Sequence, residues 1–226
     1  MIERVSILGG TGDEGLGLAL RWAKAGYSIV IGSRQQERAD AAAGEVAERV
    51  GGADVGGMEN AGAAAASDVV VVTVPYAGQA AMYKSVAEHV RPGAVVVDCT
   101  VPVAASVGGK PTHILGVWQG SAAQQAQALL PKGTVVVGAF HSLAAAALGD
   151  LEREMEGDVL VCGTRKEGRE RVRELVEAIP NLRWIDAGPL ENARIIEPIT
   201  ALLIGINHRY KTHGAGIKVT GLPRAT

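Results

Sequence analysis

Aromatic residues and cysteines are scarce in this chain. The 226 residues include one Phe, three Trp and four Tyr, whereas Gly occurs 30 times. Two cysteines, Cys99 and Cys162, are too few for a disulfide framework and are typical of a protein in a reducing compartment. The sequence has no H-E-x-x-H, no C-x-x-C and no Ser/His/Asp order. It therefore gives no support to a zinc enzyme, a dithiol oxidoreductase or a serine hydrolase.

Long hydrophobic runs and a strong net charge are also lacking. The apolar run over residues 69–74 is far too short to span a bilayer, and no N-terminal stretch has the pattern of a signal peptide. The formal charge of −2 does not favour nucleic acid or an anionic membrane as a partner. With 47% hydrophobic and 20% charged residues, the composition is that of a soluble globular protein, which we expect to be cytoplasmic.

Short apolar runs alternate with helix-forming segments along most of the chain. Strands are predicted at residues 5–8, 27–31, 69–74, 95–97, 135–137, 159–161 and 182–185. Helices are predicted from about residue 16 to a C-cap near Gly26, and at residues 35–50, 78–90, 121–130 and 167–179. This alternation predicts an α/β fold with a doubly wound, mostly parallel sheet. After Gly188-Pro189 one helical stretch follows, at about 192–209, so we expect a main domain over residues 1–187 and a small helical C-terminal segment over 188–226. A boundary near residue 140 is the alternative.

A glycine-rich turn follows the first predicted strand. Gly10, Gly12 and Gly15 fit G-x-G-x-x-G between a strand and a helix, which is the dinucleotide-binding arrangement of a Rossmann sheet. The helix N-terminus would attract the pyrophosphate. We therefore expect the whole turn to contact the cofactor: Gly10, Thr11, Gly12, Asp13, Glu14 and Gly15. Because carboxylates repel a pyrophosphate, the two acidic side chains in the turn are compatible with this role if they point outward.

The end of the second predicted strand lacks the carboxylate that NAD-specific proteins place there. Ser33 and Arg34 occupy this position instead, and Arg38 lies one helical turn beyond. A guanidinium binds phosphate through two parallel hydrogen bonds, so these residues predict NADP rather than NAD. The alternative is that Ser33 caps the following helix while both arginines are solvated.

Three loops leave the carboxyl ends of predicted strands, where open α/β sheets bind ligands. We expect four loop residues to contact the cofactor: Val74, Pro75, Val101 and Ala145. His141 is the one imidazole at a predicted strand end and is the first candidate for contact with the reacting centre. The alternative is a hydrogen-bonded structural histidine.

Several motifs occur in the same order as in one family. They are Gly-Gly-Thr-Gly from 9, Ile-Gly-Ser-Arg from 31, Val-Pro-Val from 101, Ala-Phe-His-Ser from 139, Val-Cys-Gly from 161, Asp-Ala-Gly-Pro-Leu from 186 and Gly-Ile-Lys from 216. Over nearly its whole length the chain resembles the NADPH-dependent reductases of coenzyme F420, the F420:NADP oxidoreductases. It departs from the family pattern at Ala145, which stands for a proline, and at Pro198, which stands for a hydroxyl residue.

The resemblance implies reversible hydride transfer between NADP(H) and the 5-deazaflavin coenzyme F420, carried out by a homodimer. Such an enzyme needs orientation and exclusion of water more than acid–base chemistry. The resemblance also implies that His141 lies near the stacked rings, and that Arg194 and Thr200 belong to the deazaflavin site. Together these three are the candidate catalytic residues.

The C-terminal segment carries two further patterns. It is basic, with His208, Arg209, Lys211, His213, Lys218 and Arg224 and no acid after Glu197. A basic patch would attract the phosphate and polyglutamate of F420, although a basic solvated terminus is the alternative. A wide apolar helix face predicts a dimer interface, and it comprises Ile195, Ile196, Ile199, Leu202, Leu203 and Ile206.

Two other functions fit the Rossmann pattern. An NADP-dependent reductase of a small imine or keto compound would need a Lys, Asp or Glu proton donor, and between residues 139 and 200 only Glu191 and Glu197 are candidates. A non-catalytic NADP sensor would need no organised ring site, which His141, Arg194 and Thr200 argue against.

Overall fold

The computed structural model describes residue 2 and residues 4–223. Within them the strands are β1 Arg4–Leu8, β2 Ser28–Ser33, β3 Val55–Glu59, β4 Val69–Val72, β5 Val95–Asp98, β6 Val135–Gly138, β7 Gly157–Gly163 and β8 Leu182–Pro189. The helices are α1 Asp13–Lys24, α2 Gln36–Val50, α3 Asn60–Ala66, α4 Tyr76–Val86, α5 Ala122–Leu129, α6 Ala145–Gly149, α7 Lys166–Glu177, α8 Ala193–Ile196 and α9 Ile199–Tyr210. None of the helices described is long and apolar enough to cross a membrane.

The eight strands form one sheet in the order β3-β2-β1-β4-β5-β6-β7-β8. All pairs from β3 to β6 are parallel, β7 runs antiparallel to β6, and β8 runs parallel to β7. The expected α/β, doubly wound, mostly parallel Rossmann sheet is therefore confirmed. Strand order reverses at β1, since β2 lies on one side of it and β4 on the other. This reversal opens a crevice at the carboxyl ends of the strands.

The central strands are buried on both faces, as their continuous apolar runs predict. All four residues of β4 and all four of β5 are buried. On one face of the sheet the core centres on Trp22, whose ring lies edge-on to Phe140 at 5.5 Å and whose Nε1 donates to the carbonyl of Leu175 at 2.9 Å. On the other face Tyr83 packs with Val70 and Val72. Helices cover both faces, which is why the strands carry no polar alternation.

Every predicted strand is present, but three elements and one break were not predicted. β3, α3 and α6 are the additional elements. The expected single helix over 192–209 is wrong because α8 ends at Ile196 and α9 begins at Ile199 after a turn. Pro198 occupies this turn and has no N–H to continue the helical hydrogen bonds.

The expected apolar face of this helix is also divided by the break. Ile196 and Leu203 are buried within the chain, whereas Ile195 and Leu202 are 61% and 63% exposed. The other two predicted members, at 199 and 206, are half-buried. Only part of the face is therefore free to meet another molecule.

Helix α1 is closely packed against α6. A Cβ added to Gly17 would lie 2.6 Å from Cβ of Leu148 and 3.1 Å from the backbone nitrogen of Gly149. One turn later, the buried Arg21 donates to the carbonyls of four residues: Ala147, Leu148, Asp150 and Arg153. A side chain of α1 thus holds the end of α6 and the segment that follows it.

We predict that Gly17→Ala destabilises the fold by about 1–3 kcal/mol, because the added methyl group overpacks the contact with α6. Gly44→Ala is the matched control, since a Cβ at that exposed position in α2 meets nothing within 4 Å. It should stabilise the protein by about 0.5–1 kcal/mol through helix propensity. Urea unfolding of both variants measures the difference, and a neutral Gly17→Ala would contradict the packing described.

Candidate functional site

A cavity of about 970 Å³ opens at the carboxyl ends of β1, β2 and β4 and continues along α4. Seven of the predicted cofactor contacts line it: Thr11, Gly12, Ser33, Arg34, Arg38, Val74 and Pro75. The other six do not: Gly10, Asp13, Glu14, Gly15, Val101 and Ala145. Ala145 lies instead in a second cavity, of about 560 Å³, at the end of α9.

The glycine-rich turn brings backbone close to backbone. A Cβ on Gly15 would lie 2.6 Å from both Cα of Gly10 and Oγ1 of Thr73, so a larger residue would push α1 away from the sheet. The helix begins with Leu16 donating to the carbonyl of Gly12 at 2.8 Å. No described side chain caps it, so its first N–H groups are available to an anion in the cavity.

The two acidic residues of the turn differ in orientation. Asp13 is exposed, as expected, but Glu14 is half-buried and its carboxyl lies near Asp98 and Cys99. Burial raises the pKa of Glu14 to about 8, and the charge of Asp98 acts in the same direction. The condition that both side chains point outward is therefore met by Asp13 but not by Glu14. Its carboxyl is mostly protonated at pH 7 and repels a phosphate little.

Ser33 ends β2, and Arg34 and Arg38 follow it along the wall of the cavity. Ser33 does not cap α2: the N-cap is Gln35, whose N–H lies 3.4 Å from the Ser33 hydroxyl. Both arginines are exposed, and neither forms a salt bridge with any residue that the structure describes. The two guanidinium groups can therefore bind an anion without first breaking an ion pair.

His141 follows β6 after a strained turn. Phe140 has a φ of 67°, a left-handed conformation that an aromatic residue adopts at a cost, and its ring is held against Trp22. His141 is 5% exposed, and neither ring nitrogen hydrogen-bonds a group among the described residues. Burial lowers the pKa of His141 to about 4. The imidazole is therefore neutral at pH 7.

The C-terminal helices approach this turn directly. The hydroxyl of Thr200, in the first turn of α9, donates to the backbone carbonyl of His141 at 2.6 Å. Two of the three candidate catalytic residues are thus joined by a hydrogen bond. The third, Arg194, is exposed on α8.

The chain was compared with known proteins. Residues 4–102 match the family model described as NADP oxidoreductase, coenzyme F420-dependent. The F420-dependent NADP reductase of Methanothermobacter thermautotrophicus is 43% identical, over 99% of this chain and 97% of that protein. The enzyme of the same name from Methanocaldococcus jannaschii is 44% identical, over 97% and 99%.

The chain belongs to the family of F420-dependent NADP reductases. The resemblance inferred from the sequence motifs is therefore confirmed. Within the chain, the family model covers the glycine-rich turn and the Ser33 to Arg38 segment, while the full-length relatives extend the match through His141 and α9.

Solved structures agree on the fold. A protein of Arthrobacter sp. FB24, titled as a candidate F420-dependent NADP reductase, superposes with a TM-score of 0.81 at 23% identity, covering 98% of this chain and 100% of that chain. Mycobacterium tuberculosis 3-hydroxyisobutyrate dehydrogenase superposes with a TM-score of 0.62 at 16% identity, covering 93% and 62%. At these identities the likeness concerns the fold alone.

A buried carboxyl at the end of β5, that of Asp98, was not among the residues predicted from the sequence. Asp98 ends β5 and accepts hydrogen bonds from Nε2 of Gln79 at 2.8 Å, the hydroxyl of Tyr83 at 2.6 Å and the backbone nitrogen of Thr100 at 3.1 Å. Burial raises its pKa to about 6, although these hydrogen bonds act in the opposite direction. Asp98 therefore ties α4 to the end of β5, beneath the loop that carries Val101.

Glu197 is a second buried carboxyl, and it fixes the turn between α8 and α9. Its two oxygens accept from the backbone nitrogens of Ala122 and Ala123, at 2.9 and 3.0 Å, in the first turn of α5. It is 1% exposed, and burial raises its pKa to about 8 against the effect of the two N–H donors. Sequence reasoning considered Glu197 only as a proton donor, whereas its contacts are structural.

We predict that Glu197→Ala costs about 1–3 kcal/mol of stability, because the backbone N–H groups of Ala122 and Ala123 would lose their buried acceptor. Glu191→Ala is the matched control, since Glu191 is exposed and close in sequence. Urea unfolding at pH 5, where ionisation of the carboxyl in the unfolded chain contributes little, should separate the two variants, and equal stability would show that the Glu197 contacts contribute nothing.

His141 should make stability depend on pH. Its folded-state pKa is about 4 against an ordinary 6.5, so the unfolded chain binds the proton more readily between these values. Stability contributed by the neutral imidazole is complete above pH 6.5 and is lost as the pH falls towards 4, by about 3 kcal/mol at most. The free energies of unfolding of wild type and His141→Gln should therefore approach each other as the pH is lowered. A difference between these free energies that does not change with pH would contradict the burial of a neutral ring.

Proposed function

We propose that the protein transfers a hydride reversibly between NADP(H) and the 5-deazaflavin coenzyme F420. The observation that carries the proposal is the identity of 43–44% to F420-dependent NADP reductases over nearly the whole chain. The cavity alone would fit any NADP-dependent reductase, whereas near full-length identity includes both the Rossmann unit and the C-terminal helices.

In this proposal NADP(H) occupies the 970 Å³ cavity. The turn from Gly10 to Gly15 holds the pyrophosphate, with α1 directed at it. Ser33, Arg34 and Arg38 hold the 2′-phosphate. The exposure of both arginines, without a carboxylate partner among the described residues, supports this role. Val74 and Pro75, which line this cavity, are proposed as further contacts. Val101 stays a proposed contact on the loop after β5, whereas Ala145 begins α6 and lies in the 560 Å³ cavity instead.

Bound NADPH supplies the hydride and the deazaflavin accepts it, so the protein's part is to orient the two rings and exclude water. His141 lines the ring site in this proposal, and its neutral state places no second positive charge beside a nicotinamide that becomes cationic. Thr200 positions His141 by donating a hydrogen bond to the backbone carbonyl of His141. Arg194, exposed on α8, contacts the deazaflavin.

We further propose that residues 1–187 form the NADP-binding domain, and that residues 188–226 complete the deazaflavin site and contribute a homodimer interface. The exposed Ile195 and Leu202 support an interface on α8 and α9. A cytoplasmic location accords with the two unpaired, buried cysteines.

The basic C-terminal segment bears on the anionic tail of F420. Three of its members, His208, Lys211 and His213, line the 560 Å³ cavity beside Ala145, which supports a role in binding that tail. Lys218 does not belong to this group, because it pairs with Glu156 at 2.5 Å. Arg224 lies outside the described residues.

We predict that Arg34→Ala weakens NADPH binding at least tenfold and barely changes NADH binding, because the lost guanidinium would contact only the 2′-phosphate. Fluorescence titration with each nucleotide measures the effect. Lys84→Ala, on α4 outside the residues that line the cavity, is the control for charge removal. Equal losses for both nucleotides would overturn the assignment of Arg34.

To test the function directly, the purified protein is mixed with NADPH and oxidised F420, and the visible absorbance of the deazaflavin is followed over time. Rapid bleaching is expected with NADPH, little with NADH, and none when FMN replaces F420. Tight NADPH binding without bleaching would contradict the proposed function and favour a reductase of a small imine or keto compound.

A further inference from the structure

Asn60 lies on the wall of the proposed nucleotide cavity, and its side chain forms no hydrogen bond with the described residues. It begins α3, is 7% exposed and lines the cavity with Ser33, Arg34 and Arg38. Its Oδ1 is buried and has no hydrogen-bond partner within the part of the chain that the structure describes. The NH₂ end of the amide also has no partner among the described hydrogen bonds and, unlike Oδ1, is not among the fully buried unpaired atoms, so this donor is available to a ligand in the cavity.

The sheet places Asn60 beside the proposed 2′-phosphate site. Glu59, the last residue of β3, is in register with Ser33, the last residue of β2, so Asn60 is the first residue beyond the strand at the same edge. The amide is fixed by close packing on Gly32, because a Cβ added there would lie 2.8 Å from Oδ1 of Asn60. With Oδ1 against this backbone, the NH₂ end is left for the cavity.

A purely structural role does not explain this side chain. The N-cap of α3 is Glu59, and Asn60 does not cap the helix with its side chain. The buried side chain also satisfies no backbone group of its surroundings among the described hydrogen bonds. An apolar residue would fill the same space without the cost of the buried oxygen, so the amide is explained by a partner for its NH₂ donor outside the chain.

We propose that Asn60 is a further specificity-determining residue, which donates a hydrogen bond from its amide to the phosphorylated ribose at the adenosine end of NADP(H). This inference rests on the proposed function. The exposed arginines supply charge on flexible side chains, whereas Asn60 supplies a donor whose position is set by packing. The arginines would attract the phosphate by charge, and the fixed amide of Asn60 would set its orientation through a directed hydrogen bond.

The decisive variant is Asn60→Asp, which keeps the size of the side chain but replaces the NH₂ donor with a carboxylate oxygen. At pH 8, fluorescence titration should show that the ratio of NADPH affinity to NADH affinity falls at least tenfold. NADH binding should be unchanged or stronger, since a carboxylate at the adenosine ribose is the arrangement used for NAD. Calorimetry with adenosine 2′,5′-bisphosphate and with 5′-AMP should show the same loss for the bisphosphate alone.

Two further variants keep the test interpretable. Asn60→Ala removes the donor without adding a charge and should lower NADPH affinity severalfold, with NADH affinity unaffected. Ser67→Ala is the matched control, because Ser67 follows the same helix α3, is buried and has a hydroxyl without a partner among the described residues, yet it does not line the cavity. It should leave both affinities unchanged.

The outcomes separate this inference from the proposed function. Wild-type preference for NADPH that survives both Asn60 variants would overturn the role of Asn60 and leave the proposed function standing. Equal weakening of NADPH and NADH would overturn it as well, because it would show a structural residue. A wild-type protein without preference for NADPH would contradict the NADP site itself.

Discussion

The reversal of strand order at β1 determines where the functional side chains of this protein can lie. Because β2 and β4 flank β1 and their connecting helices leave in opposite directions, the carboxyl ends of three neighbouring strands border one open crevice. The close contact of Gly15 with Gly10 and Thr73 keeps the start of α1 at this crevice. The arginines after β2 and the amide after β3 then face the same cavity from consecutive strands.

The second half of the site depends on contacts between elements that are far apart in sequence. Thr200 holds the carbonyl of His141, Glu197 holds the first turn of α5, and Arg21 of α1 holds the end of α6. Helix α1, the segment from His141 through α6, and the C-terminal helices are therefore linked by side-chain hydrogen bonds. A hydride donor and acceptor stacked beside His141 would be oriented by the same framework, which is what transfer between two bound rings requires.

Much of this architecture follows from local pattern. The run Val69–Val72 is typical of a strand buried on both faces, and the glycines that follow β1 indicate the phosphate turn. β3 was missed because Gly56 and Gly57 weaken the strand pattern, and the strand forms through pairing with β2. Asn60 was missed for the same reason, since its place at the cavity is known only once β3 is placed.

The remaining errors concern burial, which a single sequence does not reveal. Glu14 reads as a charged residue of an exposed turn, yet its carboxyl lies near Asp98. Glu197 reads as one acid in a helix, yet its partners are on α5, some 75 residues earlier in the chain. Both are set by tertiary packing, and neither has a signature in local spacing.

Isotopic labelling tests most directly whether a hydride passes from one bound cofactor to the other without exchanging with water. NADPH carrying deuterium at C4, prepared separately with each of the two stereochemistries, is mixed with the protein and oxidised F420 in ordinary water. Mass spectrometry and NMR of the reduced deazaflavin should find the deuterium at C5 for one stereoisomer and hydrogen for the other. Loss of the label to solvent from both stereoisomers would contradict direct transfer.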